Sequence, residues 1–188
     1  MILHQLQATY QPHQDRILLR LNTTENEELR VWLTRRMMKG LLPNLVQITT
    51  ELVNRQPQPA SHDSTKPHAL ANFKKQEALA LADFSKPFES NSPVLPLGGN
   101  PLLISSVHMT PLQAGQLRLG FEEAADGANP ARSFSVTMTQ PVFHSLLHLL
   151  ESTLTATQWN LSTAPEITKL TPDALDNFAS EAPPAYLN

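Results

Sequence analysis

Two stretches of this chain follow one plan, and that internal repeat limits the folds open to it more than any other feature. Leu29 to Leu42 and Phe134 to Leu147 each show apolar residues at alternate positions, then a threonine, then a helical pattern with paired leucines. Alternation with period two marks a strand with one buried face, and the 3.6-residue pattern marks an amphipathic helix. Thr34 and Thr139 stand where an N-cap belongs, so each hydroxyl can accept from a free N–H of the first helical turn. Pro141 fits the first turn, where a missing N–H leaves no gap in the ladder.

A second alternating segment precedes each of these. Ile17, Leu19 and Leu21 correspond to Leu117, Leu119 and Phe121. Turn formers follow both, Asn22 to Asn26 in one case and Asp126 to Pro130 in the other. Further strands are expected near Leu3 to Tyr10 and Leu102 to Met109. Each half then reads β-β-β-α, with an antiparallel sheet packed by its own helix. The helices are expected over about 35–54 and 140–160, with a kink or early break at Pro43.

A three-stranded unit with one helix buries little surface and is marginal alone. Two such units sharing a core solve this. The fold class is therefore α+β: two tandem β-β-β-α repeats forming a pseudo-twofold body over residues 1–161. Repeat one spans 1–55 and repeat two 101–161. The connector between them, 56–100, holds two loops around a helix expected over 68–84. The polar, acidic tail from 162 to 188 is expected to be partly disordered.

The chain has no cysteine, which excludes disulfide scaffolds, thiolate metal sites and cysteine nucleophiles. Met1 to Gln7 has neither the basic start nor the apolar core of a secretory signal, and no apolar run reaches the length of a membrane span. A cytoplasmic address and no membrane partner are expected. Net charge is −3, against a general affinity for duplex DNA.

No catalytic motif is found, and neither an enzyme nor a cofactor is expected. There is no Gly-x-Ser-x-Gly elbow and no phosphate-binding glycine loop; Gly98-Gly99 reads as a turn. Ser106 and His108 share a strand face, but a triad needs an orienting carboxylate that spacing cannot place. His144 and His148 stand four apart on a helix with Glu151 on the same side, a spacing that can ligate a metal. The plainer reading makes these three a solvated helix face. The pairs Glu27-Glu28 and Glu122-Glu123 read as solvated hairpin charge.

The least ordinary feature is the outer face of the first hairpin. Arg16, Arg20, Arg30 and Trp32 point away from the helix, and Arg35 and Arg36 follow at its start. One strand register sets Arg20 opposite Arg30, repulsive without an anion between them; a shift of two sets Arg20 opposite Glu28. Cations with an aromatic ring on one sheet face can hold single-stranded nucleic acid. The duplicated sheet-plus-helix plan resembles, in topology alone, the Whirly and Pur-alpha type of single-strand binders. Their repeats have four strands where three are read here, and no functional residue carries over. Three functions follow. The first is a non-enzymatic protein-interaction module whose partner is another protein or a second copy in a homodimer. The second is a single-strand binder using Arg16, Arg20, Arg30, Trp32, Arg35 and Arg36. The third is a metal-dependent enzyme using His144, His148 and Glu151.

Overall fold

The computed structural model describes residues 3–54, 76, 87–89, 94–125 and 131–161. The first half holds strands β1 (Leu3–Gln11), β2 (Arg16–Thr23) and β3 (Glu28–Thr34), then helix α1 (Arg35–Asn54). The second holds β4 (Leu102–Pro111), β5 (Leu117–Glu123) and β6 (Ser133–Met138), then helix α2 (Gln140–Thr155). A three-residue 3-10 turn closes the first hairpin of each half, Pro12–Gln14 and Gln113–Gly115. The expected connector helix, save for residue 76, and the tail beyond 161 lie outside the described residues.

The chain is α+β, as expected, but the halves do not form two separate antiparallel sheets. All six strands join one mixed sheet in the order β1-β2-β3-β4-β5-β6. Pairing is antiparallel within each half and parallel at the join, where Val31 meets Leu102 and Trp32 meets Leu103. Parallel neighbours need a long crossover between them, and α1 lies in that stretch of chain. α1 lies against β3 and β4, while α2 lies against β6, β1 and α1.

The alternating residues face inward as the pattern predicts. Ile17, Leu19, Leu21, Leu29, Val31 and Leu33 are buried on the same core as Leu117, Leu119, Phe121, Val136 and Met138. Met38, Leu42, Leu45, Phe143, Leu146 and Leu150 close that core from the helices. This packing overrides the expected break at Pro43, which stays inside α1. An interior proline costs about 3 kcal/mol. Burying each leucine returns about 1.5–3 kcal/mol, and Leu41, Leu42, Leu45 and Leu52 are all buried around it.

The two expected caps differ. The Thr34 hydroxyl accepts from the Met37 N–H at 3.2 Å, whereas Thr139 caps α2 without a side-chain bond. Thr34→Ala should therefore lower stability by about 1 kcal/mol and Thr139→Ala by almost nothing, measured by urea unfolding. Equal losses would show that the hydroxyl at 34 does not act as the cap.

Candidate functional site

The strand register that the sequence leaves open is the one with Arg20 opposite Arg30. The missing anion is Glu28. Its carboxylate takes Arg20 Nε at 2.7 Å and Nη2 at 3.0 Å, and Arg30 Nε at 2.6 Å. Glu28 lies two residues from Arg30 on β3, so both side chains leave the same sheet face. Its side chain is wholly buried, while those of Arg20 and Arg30 are 18% and 28% exposed. Burial alone would raise the Glu28 pKa; the bonds from Arg20 and Arg30 outweigh it and hold the group below its ordinary range. Glu28 is thus not solvated hairpin charge. Leu29 to Leu33 fix which face it takes, but only strand pairing puts both guanidinium groups around it.

Arg20 also donates from Nη1 to Gln7 Oε1 at 3.0 Å. Pairing of β1 with β2 sets Gln7 beside Arg20 and Gln5 beside Asn22, all on the outer face. This face already holds a piece of chain, the segment Pro87–Glu89. The Gln5 side-chain amide donates to the Pro87 carbonyl at 3.3 Å and accepts from the Glu89 N–H at 2.9 Å. Asn22 Nδ2 donates to the Glu89 carbonyl at 2.6 Å. The Phe88 ring stacks on the Arg20 guanidinium, 4.3 Å from its centroid. Further along, Val94 exchanges backbone bonds with Asn26 and Glu28, each 2.9 Å.

The chemistry of this contact is specific. A primary amide carries one donor side and one acceptor side, like a peptide group. Gln5 therefore engages the carbonyl before and the N–H after residue 88, groups that point the same way in an extended chain. Asn22 is 8% exposed, and its Oδ1 has no hydrogen-bond partner among the described residues. The arginine beneath the ring is held flat by a buried carboxylate, which suits a cation–π contact.

The residues singled out as nucleic-acid ligands do not share one open surface. Arg16 and Trp32 are half-buried on the outer face, Trp32 at the β3–β4 join. Arg20 and Arg30 are committed to Glu28. Arg35 is exposed near Asp15, and its charge helps lower the Asp15 pKa, after the Trp159 and Tyr10 hydrogen bonds. Arg36 lines a separate cleft of about 840 Å³ where β3 and β4 part, together with Thr34, Ser105, Glu123 and Arg132. Arg132 there is bound to Glu123 at 2.7 Å and to the Leu97 and Asn100 carbonyls at 2.9 and 3.2 Å. It ties the turn before β4 to the β5–β6 hairpin.

His144 is buried against the Phe143 ring, at 4.9 Å between centroids, and so is not part of a solvated helix face. α2 is wrapped by the sheet and α1, which widens its apolar side beyond the leucine stripe. His148 and Glu151 are half-buried, and among the described residues no group of three or more His, Asp or Glu could hold a metal. Near His108, Glu122 is the carboxylate that the sequence cannot place. Ser106 Oγ donates to Glu122 Oε2 at 3.0 Å, and His108 Nε2 lies 3.5 Å from the same oxygen. The carboxylate stands between serine and histidine, so the histidine cannot take the hydroxyl proton as a triad requires.

Sequence reasoning missed Gln5, Gln7, Asn22 and Phe88, and paired Glu28 with Arg20 only in the register that the strands do not take. The available signal was the Gln5/Gln7 spacing, which puts two amides on one strand face; nothing local marks Phe88 as their neighbour. No family model, curated protein or solved structure matches this chain.

Proposed function

We propose that this chain is a non-enzymatic protein-interaction module, built from two tandem β-β-β-α units, whose outer face on the first unit receives a partner. The observation that carries this reading is the capture of Pro87–Glu89 there by side-chain amides and a stacked arginine. Such a surface recognises extended chain without needing a free strand edge, unlike strand addition. Duplication is supported by the element order, strand, 3-10 turn, strand, strand and helix in each half. The helix packing supports it as well: α1 lies against β3 and β4, and α2 against β6 and β1. Among the described residues no helix is long and apolar enough to cross a membrane.

Single-strand binding is the weaker reading, because Glu28 already neutralises part of the arginine cluster on this face.

Photo-crosslinking inside cells tests the proposal. A benzoylphenylalanine at Thr9, exposed on the outer face, should form an adduct with a discrete protein species or a second copy. The same group at Ser152, exposed on α2, should not. Leu18 pairs with Thr9 across β1 and β2 on the same face, and the purified adduct partner should bind wild type and bind Leu18→Glu at least tenfold more weakly. Equal adducts at both positions, or nucleic acid alone at Thr9, would refute the reading.

A further inference from the structure

We infer that Pro87–Glu89 holds the place of the partner, and that the outer face reads an extended peptide with an aromatic residue at its centre. This rests on the protein-interaction reading above and names its ligand class. Three observations carry it. The Gln5 amide engages the two backbone groups that flank residue 88, so the site demands an extended backbone but no particular side chain on either side. Arg20 stacks on the ring of residue 88, so that position calls for an aromatic. Asn22 Oδ1 is buried without a partner among the described residues, so the resident segment leaves one acceptor unmet.

The third point sets the resident segment apart from an optimal ligand. A buried acceptor left unpaired weakens the docked state, and a peptide that presents an N–H or hydroxyl to Asn22 would bind more tightly. The resident segment has the advantage of tethering, since its effective concentration is that of a linked ligand, commonly millimolar. A partner must therefore displace it. The apparent affinity of the face for any peptide is reduced by the fraction of molecules in which the segment is undocked.

The cluster beneath the ring makes the recognition specific to aromatics. Arg20 cannot swing away to meet an acidic side chain, because Glu28 holds it by two parallel bonds and Gln7 by a third. It presents its flat face outward. An acidic peptide without an aromatic would lack a stacking partner and find the charge already answered.

The test is an NMR titration of the full chain with a free Gly-Pro-Phe-Glu-Gly peptide. In wild type the probe should shift the side-chain amide signals of Gln5 and Asn22 only at high concentration. In Phe88→Ala, which weakens the resident contact, the apparent Kd should fall about tenfold. In the Gln5→Ala, Phe88→Ala double variant that gain should vanish, and a Gly-Pro-Ala-Glu-Gly probe should bind neither chain. Circular dichroism establishes that both variants fold; the wild-type amide shifts keep the test open if either does not. The inference is overturned if the probe moves neither amide, if Phe88→Ala binds no tighter than wild type, or if the double variant binds equally well. A failed titration with Thr9 adducts intact would retire the peptide class and leave the interaction face standing.

Discussion

Glu28→Gln should unfold with a stability loss of about 3 kcal/mol at pH 7. That is the lower end for breaking a buried ion pair, because both arginines keep some contact with water. Glutamine preserves the shape but offers one acceptor, and it turns an NH₂ toward guanidinium donors. Arg20 and Arg30, set opposite each other by the register, then face one another without the carboxylate between them. For a chain of this size the loss corresponds to roughly 6–12 °C in Tm. The pH dependence adds a second reading. The folded pKa of Glu28 lies below the reference value of 4.5, so its contribution is present above the unfolded pKa and fades as pH falls through the folded one. Wild type should lose stability below about pH 4.5, and Glu28→Gln should lose less over the same interval. Urea denaturation at pH 7 and in mild acid measures both. A variant within 0.5 kcal/mol of wild type at pH 7, by the usual noise of surface substitutions, would show that the carboxylate is not the needed anion.

Trp159→Ala should be the other large effect, about 3–5 kcal/mol. Trp159 is 3% exposed just after α2, and its indole Nε1 donates to Asp15 Oδ1 at 2.5 Å. Its ring meets Tyr10 edge-on at 5.9 Å, and the Tyr10 hydroxyl donates to the same Asp15 oxygen at 2.8 Å. This cluster fastens the end of the second half to the β1–β2 hairpin. Truncation removes a large apolar volume and frees the hairpin edge. Amide hydrogen exchange should accelerate first in β1, ahead of β5. Trp159→Phe keeps most of the packing and should cost only about 1 kcal/mol, since Asp15 is exposed and can turn to water. Unchanged β1 exchange in Trp159→Ala would mean that the hairpin is held elsewhere.

Much of the fold is legible in the sequence because its signals are local. The direction of a Cβ is set by the backbone at its own residue, so alternation at Ile17, Leu19 and Leu21 fixes a buried strand face wherever that strand lies. The same holds for the leucine stripes of both helices, and α1 spans the expected residues. The N-cap at Thr34 is local as well. The misreadings share a different cause. Pro43 is a local break signal that packing on both sides outweighs. His144 falls off the leucine stripe, yet α2 is enclosed from more than one side. The end of α2 at Thr155, short of the expected 160, frees the turn that seats Trp159.

The candidate site divides in the same way. The sequence by itself determined that Arg16, Arg20, Arg30 and Trp32 leave one sheet face, since that follows from period two alone. It did not determine their electrostatic state or what lies over them. That depended on the β2–β3 register, which brings Glu28 within 3.0 Å of both arginines, and on Phe88, far along the chain, docking on Arg20. Register is decided by pairing of whole strands and docking by contacts distant in sequence, and both energies belong to residues that meet only after the chain has folded.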